Sequence, residues 1–175
     1  MPCLGVMLPR GVASPLASSA GRLFDAIAAL LDLCRRASFE GEAAMALEAA
    51  AAGAEAAPLP APEVNGDRPL VVDWRPTLAA LLAGRATGLR PGPLAAGFHV
   101  ELAEAIVAVA RRLGARRVLL TGGCFQNARL TEHTVIGLRA AGIVPFRHRL
   151  VPPNDGGLAV GQIAFAAAPL IEENV

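Results

Sequence analysis

Residues 117–127 decide the fold, and they read Arg-Val-Leu-Leu-Thr-Gly-Gly-Cys-Phe-Gln-Asn. The apolar run at 118–120 is typical of a short buried strand. It leads directly into Gly122 and Gly123, and apolar residues with helical spacing follow a few positions later. A strand that ends in glycines and precedes a helix predicts the ligand-binding edge of an α/β sheet. A plain tight turn between strand and helix is the alternative.

The rest of the second half alternates helices and strands around this stretch. Apolar periodicity and glycine stops predict a helix at 91–113 ended by Gly114, a helix at 128–141 ended by Gly142, a strand at 143–146, and a helix at 158–168. This alternation predicts an α/β layer in which neighbouring strands run parallel.

The first half is predicted to be mainly helical. A helix is expected at 21–34 after the cap candidates Ser18 and Ser19, with a buried stripe of Leu23, Ile27, Leu30 and Leu31. The further expectations are a helix at 41–52, a surface loop at 53–68, a strand at 70–74 and a helix from Pro76. We therefore expect one lobe over 1–175, with a helical part at 1–68 and an α/β part at 69–175.

Composition narrows the class of protein. Of the 175 residues, 54% are hydrophobic and 18% are charged, which excludes disorder over most of the chain. A net charge of +1 gives no electrostatic reason to expect nucleic acid or an anionic membrane as partner. Cys3, Cys34 and Cys124 stand far apart, which suits a reducing cytoplasm better than a zinc knuckle or a disulfide framework. We expect a cytoplasmic location.

The glycine pair carries the first chemical prediction. Glycine lets the backbone approach a ligand closely, and the N-terminus of the following helix offers free N–H groups to an anion such as phosphate. Asn127 stands at the start of that helix and is expected either to cap it or to hydrogen-bond a ligand. Cys124 has no base assigned nearby, so we do not interpret it as a nucleophile.

Residues 152–157, Pro-Pro-Asn-Asp-Gly-Gly, form a second candidate loop. Asp155 is interpreted either as a helix cap or as a carboxylate that coordinates a hard cation. Asp25 is the third candidate, and its alternative is a solvated or ion-paired acid on a helix. The three histidines lack the spacing of a self-contained zinc site.

Taken in order, four segments resemble the C-terminal part of the hydrogenase-maturation (HypF) carbamoyltransferases. They are 18–26 (SSAGRLFDA), 40–45 (EGEAAM), 121–127 (TGGCFQN) and 152–162 (PPNDGGLAVGQ). The resemblance that they carry covers nearly the whole chain. Thr121 stands where the family has serine, and Cys124 is a second mild departure.

The resemblance implies an α/β fold: one lobe of an actin-like ATPase (ASKHA, RNase H-like), helix-rich with a small mixed sheet. ATP or carbamoyl-adenylate would lie between this lobe and another. It also implies roles for individual residues: Asp25 at the ribose, Gly122 and Gly123 at the phosphates, Asn127 at the nucleotide, Glu40 and Gly41 on the adenosine side, and Asp155 as a catalytic ligand of a divalent metal such as Mg, Zn or Fe.

The reaction implied is transfer of a carbamoyl group from carbamoyl-adenylate to the C-terminal cysteine of HypE, on the route to the cyanide ligand of [NiFe]-hydrogenase. The other lobe and the further N-terminal HypF domains are expected to be absent from this chain, so that alone it is an incomplete enzyme. The alternatives are a tRNA threonylcarbamoyl-transfer enzyme, an O-carbamoyltransferase of the same fold, or a non-catalytic docking module.

Overall fold

The computed structural model describes residues 2–7, 9–12 and 17–172. The helices are α1 Pro2–Met7, α2 Ala20–Leu30, α3 Glu42–Ala51, α4 Arg75–Ala86, α5 Pro91–Arg112, α6 Ala128–Ala140 and α7 Leu158–Glu172. The strands are β1 Glu63–Asn65, β2 Val71–Asp73, β3 Arg117–Leu120 and β4 Val144–Arg147. Two short 3-10 turns at Gly123–Gln126 and Asp155–Gly157 precede α6 and α7. The predicted helices are therefore confirmed, with shifts of a few residues at their ends.

Helix α5 lies at the centre of the protein. It starts with proline in its first turn, and positions 94–99 are all buried. Its side chains join those of α2, α3, α4 and α6 in one core cluster, which includes Phe24, Leu47, Leu81, Leu94, Phe98 and Leu130. Complete burial of each such side chain stabilises the fold by roughly 1.5–3 kcal/mol. The cluster contains residues from both predicted parts of the lobe, 1–68 and 69–175. The division into these two parts stays a prediction.

Helix α5 is also long and apolar enough to cross a membrane by length and composition. However, 61% of its most apolar 18-residue window is buried inside the protein. In this structure that apolar surface is used for packing against neighbouring helices.

Helix α2 differs from the prediction in its buried face and its end. Ser19 caps it, accepting a hydrogen bond from the Arg22 amide at 3.4 Å, as expected. The buried stripe is Phe24, Ile27, Ala28 and Leu31, whereas Leu30 is exposed and Leu23 only half-buried. The prediction was wrong at Leu30 because the stripe follows i, i+3, i+4 and i+7 from Phe24. The helix stops at Leu30 because Asp32 takes φ +64° and the Leu33 amide bonds back to the Ala28 carbonyl at 2.9 Å.

The strands form two separate two-stranded sheets in the described residues, rather than one mixed sheet. β3 and β4 pair in parallel, with Leu119 opposite Phe146, which confirms the predicted parallel α/β layer. β1 and β2 pair antiparallel. β1 lies within the segment predicted as loop. Its link to the core is Arg112, whose guanidinium donates to the carbonyls of Val64 at 2.8 Å and Gly66 at 2.9 Å.

Among the described residues, the β3–β4 sheet is covered on one face only. Leu120 packs with Val107, Ala110, Leu138 and Ile143 in a second core cluster beneath α5 and α6. On the other face Leu119 is 61% exposed and Phe146 49% exposed, so the prediction of a fully buried strand was wrong for Leu119. In α7, residues 158–166 are all exposed, including Ile163 and Phe165. We call the open face of the β3–β4 sheet, together with α7, the apolar outer face.

Gly97 should be intolerant of a side chain, because the segment after α3 lies against α5 at this point. A Cβ at Gly97 would be 2.4 Å from the Ala57 carbonyl oxygen. We expect Gly97→Ala to lower the free energy of unfolding by about 1–3 kcal/mol in urea titrations followed by circular dichroism. Gly161→Ala in α7 is the matched control: its Cβ meets nothing within 4 Å, so stability should stay constant or rise slightly. Equal losses in both variants would contradict the close approach.

Candidate functional site

The glycine pair and the 152–157 loop are joined by a backbone hydrogen bond. The Gly122 amide donates to the Pro153 carbonyl at 2.8 Å. Gly122 has φ +96°, a conformation that L side chains rarely adopt, which explains glycine at this position. A Cβ on Gly123 would lie 4.0 Å from the Cβ of Asn154. The two loops predicted from separate motifs therefore form one edge of the protein.

In the second loop, the capping role belongs to Asn154 rather than Asp155. The Asn154 side-chain oxygen accepts from the Gly156 amide at 3.1 Å, and its carbonyl accepts from the Gly157 amide at 2.9 Å. Asp155 is exposed, and its carboxylate forms no hydrogen bond or ion pair with the described part of the chain. Of the two interpretations of Asp155, the capping one is wrong, and its carboxylate is available to a ligand.

The N-terminus of α6 differs from the prediction. The Arg129 amide donates to the Glu48 carboxylate at 3.1 Å, and the Leu130 amide donates to the Asn127 side-chain oxygen at 2.8 Å. The Thr131 amide donates to the Asn127 carbonyl at 3.1 Å. The expectation that this helix end offers a set of free N–H groups to phosphate was wrong. A phosphate placed there would also meet the negative charge of Glu48.

Asn127 is confirmed as the cap of α6, and its side chain points inward. The residue is 7% exposed, and its Nδ2 lies 3.0 Å from Nε2 of His99, which is completely buried on α5. Burial, the largest cause, lowers the pKa of His99, so the ring is neutral near pH 7. A direct contact between Asn127 and a nucleotide stays a prediction.

The other predicted residues lie at different distances from the glycine pair. Asp25 is on α2, which contacts the 3-10 turn at Gly123–Gln126, and its half-exposed carboxylate pairs with Arg22 at 3.0 Å. Glu40 and Gly41 are exposed at the start of α3. Along α3 they are about 10 Å from Glu48, which contacts the start of α6, at a rise of 1.5 Å per residue. The structure thus brings Gly122, Gly123 and Asp155 together, with Asp25 on the neighbouring helix.

Metal binding by this chain alone has limited support. In the described ranges there is no group of three or more His, Cys, Asp or Glu side chains that could hold a metal ion. Asp155 can supply one carboxylate, and any further ligands would have to come from elsewhere. Burial raises the pKa of the Cys124 thiol, which keeps it protonated and weakly nucleophilic.

Two residues that sequence reasoning did not single out help to build the site. Glu48 reaches the start of α6 from 81 positions away, and His99 reaches Asn127 from 28 positions away. Neither stands in a local motif. No signal in a single sequence reveals such pairings.

Comparison with known proteins places the chain in a family. A family model described as "Carbamoyltransferase, Kae1-like Domain, second subdomain" matches residues 3–162. The chain belongs to the HypF carbamoyltransferase family. It is 47% identical over 167 residues to the carbamoyltransferase HypF of Rhodobacter capsulatus, covering 92% of this chain and 21% of that protein. Against HypF of Synechocystis the identity is 41% over 156 residues, covering 86% of this chain and 19% of that protein.

Solved HypF structures have the same fold. A crystal structure of full-length HypF in the phosphate- and nucleotide-bound form matches with a TM-score of 0.79 and 30% identity, over 94% of this chain and 22% of that one. HypF of T. kodakarensis matches with a TM-score of 0.81 and 30% identity, over 95% and 22%. The actin-like fold class is therefore confirmed, and the chain spans about a fifth of the length of these HypF proteins.

Replacing Asn127 should cost more than replacing an ordinary helix cap. Asn127→Ala removes the cap of α6 and leaves the buried His99 nitrogen without a partner, so we expect a loss of about 2–4 kcal/mol in urea unfolding. Ser19→Ala, at the exposed cap of α2, should lose only about 0.5–1 kcal/mol. Similar losses in the two variants would show that the His99 contact contributes little.

Stability should fall as the pH is lowered from 7.5 to 5.5. Burial, again the largest cause for each, lowers the pKa of both His99 and His133 in the folded protein. The unfolded chain therefore binds more protons below about pH 6.5, and the free energy of unfolding falls with pH there. Urea titrations at both pH values test this. In the double variant His99→Gln/His133→Gln, the free energy of unfolding should change much less between the two pH values. An unchanged pH dependence in this variant would show that the two histidines do not cause it.

Proposed function

We propose that this chain forms one side of a nucleotide site in a HypF-type carbamoyltransferase. The hydrogen bond between Gly122 and Pro153 carries the proposal, since it places the glycine pair and the loop of Asp155 on one edge. The Gly123 amide, at the start of the 3-10 turn, forms no hydrogen bond within the described part of the chain and can serve a phosphate oxygen. The nucleotide-bound form of a HypF relative supports the ligand class.

The proposed reaction is the transfer of a carbamoyl group from carbamoyl-adenylate to the C-terminal cysteine of HypE, in maturation of the [NiFe]-hydrogenase cyanide ligand. The cysteine thiolate sulfur forms a bond to the carbamoyl carbon, the bond between that carbon and the phosphate oxygen breaks, and AMP leaves. The nucleophile comes from the partner, which agrees with a protonated Cys124 here. The relatives named above are HypF proteins, which favours this reaction over tRNA threonylcarbamoyl transfer or O-carbamoyl transfer. We propose that it takes place in the cytoplasm.

We assign Gly122 and Gly123 to the phosphates, Asp155 to a divalent cation beside them, and Asp25 to the ribose. A divalent cation would balance phosphate charge and polarise the acyl-adenylate. Asn127 would serve by holding the loop in place. Glu40 and Gly41, on the adenosine side, are the most distant members of the proposed set.

The rest of a HypF protein is the partner that we assign to the apolar outer face. The matching family model is a second subdomain, and the chain spans about a fifth of its relatives. Exposed Leu119, Phe146, Ile163 and Phe165 form the kind of surface that proteins bury against another domain. Alone, the chain is expected to have little or no carbamoyltransferase activity.

Titration calorimetry with ATP tests the proposed site, with and without Mg²⁺. We expect saturable binding with Mg²⁺ that weakens about tenfold or more in Asp155→Asn, because interactions of charged groups contribute about 1.5–3 kcal/mol. Without Mg²⁺, Asp155→Asn should bind as well as the wild type or better, since the carboxylate then only repels phosphate. Gly122→Ala should bind weakly under both conditions, because its φ of +96° disfavours alanine.

Glu55→Gln removes an exposed carboxylate in a different part of the chain and is the control, with unchanged affinity. If the wild type binds no ATP while remaining folded, this lobe has no independent nucleotide site. The non-catalytic docking alternative would then be favoured.

A further inference from the structure

His99 is a buried polar residue at the centre of the protein. It is 0% exposed and stands next to Phe98, a member of the core cluster, on α5. Its ring contacts Phe24 and Phe98 edge-on, at centroid distances of 5.6 and 5.9 Å. Burying an imidazole in such surroundings costs free energy unless both nitrogens are hydrogen-bonded. Both are, and the identity of the two partners fixes what the ring does.

The partners define the tautomer. Nδ1 of His99 lies 2.7 Å from the Ala95 carbonyl oxygen, which can only accept, so Nδ1 carries the proton. Nε2 is then an acceptor, and the Asn127 side-chain Nδ2 donates to it at 3.0 Å. The remaining amide atom, Oδ1 of Asn127, accepts from the Leu130 amide at 2.8 Å. Turning the amide over would oppose like atoms at both ends, so one orientation is selected.

The fixed orientation of the Asn127 side chain affects the glycine pair through the backbone of the loop. Asn127 is the last residue of the 121–127 loop, and its amide donates to the Cys124 carbonyl at 3.2 Å. Thr131 Oγ1 donates to the Phe125 carbonyl at 2.9 Å, which fixes the same turn from α6. Within the described ranges, the C-terminal end of the loop is therefore attached to α5 by one side-chain hydrogen bond, from Asn127 to His99.

We propose that His99 is a positioning residue, whose Nδ1-protonated tautomer orients the Asn127 amide and so fixes the 121–127 loop for its ligand. The ligand part rests on the proposed function, whereas the ordering of the loop stands independently of it. His99 does not touch the open edge of the site, because it is completely buried. Its effect on any ligand passes through Asn127.

The surroundings of His99 keep the ring in its neutral form. Arg129 and His133 on α6 disfavour a charged ring, Glu48 on α3 and the Ala95 carbonyl on α5 favour it, and burial is the largest effect, so the pKa is lowered. A proton on Nε2 would face the N–H groups of Asn127 and break the bond between α5 and the loop. A neutral His99 is thus a requirement of the arrangement.

Two substitutions of His99 distinguish the effect of its hydrogen bond to Asn127 from the effect of its side-chain volume. His99→Gln places an amide oxygen near the position of Nε2, so it can still accept from Asn127 and does not titrate. His99→Leu has similar volume and no acceptor. Amide hydrogen exchange at 122–127 is compared with exchange in α4, in the same molecule. We expect about tenfold faster exchange at 122–127 in His99→Leu with α4 unchanged, and near wild-type rates in His99→Gln.

Two results would overturn the proposal. One is amide hydrogen exchange that becomes faster by the same factor at 122–127 and in α4 of His99→Leu, because this would indicate a general loss of stability. The other is ¹⁵N shifts of the wild-type ring that place the proton on Nε2. If His99→Leu does not fold, Asn127→Ser carries the test, because serine keeps a capping oxygen and removes the donor to His99. It should loosen 122–127 by a similar factor, and wild-type exchange rates there would contradict the proposal.

ATP affinity of the same variants links the positioning to the ligand. With a wild type that binds, affinity should fall in His99→Leu and be restored in His99→Gln. If the wild type does not bind ATP, the proposed function fails, and the exchange pattern and the ring tautomer still decide whether His99 positions the loop.

Discussion

Burial of α5 on nearly all sides is the constraint on which the rest of the structure depends. Residues 94–99 are buried without interruption, so no side of α5 is open to solvent along this stretch. Helices α2, α3, α4 and α6 each contribute side chains to the cluster around it. Because α5 is enclosed in this way, it fixes the positions of the loops and strands that are hydrogen-bonded to it or to its neighbouring helices. The glycine loop is attached through α6, and the β1–β2 hairpin through Arg112.

The positions of the candidate site residues depend more on this packing than on the local sequence of the two loops. Each loop is short, and each is stabilised by a contact to a distant part of the chain: Gly122 to Pro153, Asn127 to His99, and the start of α6 to Glu48. The last contact places a carboxylate at the start of α6, which disfavours an anion there. For this reason we assign the proposed phosphate contact to the glycine turn before the helix. In this respect the proposed site differs from a phosphate site formed by the N-terminus of a helix.

Much of the fold could be predicted from the sequence, because its longer helices carry local signals. Proline at the start of α5 and Gly114 after its end define it to within a residue. The ordered motifs gave the family and three of the residues at the site edge. β1 was missed because three residues paired across a loop have no periodicity to detect. The exposed face of β3 was missed because a short apolar run does not reveal which face another element covers.

The glycines of α5 imply an asymmetry in how this sequence can diverge. Gly92 and Gly97 face the carbonyl oxygens of Ala50 and Ala57, so the contact partner on the other side is main chain. A main-chain oxygen is the same for every residue type. Substitutions over 50–57 that keep the backbone path therefore leave this contact intact, whereas any side chain at the two glycines intrudes on it. Among relatives, the exposed positions of this stretch, such as Ala52, Glu55 and Ala56, should vary in composition, and the two glycines opposite it should not.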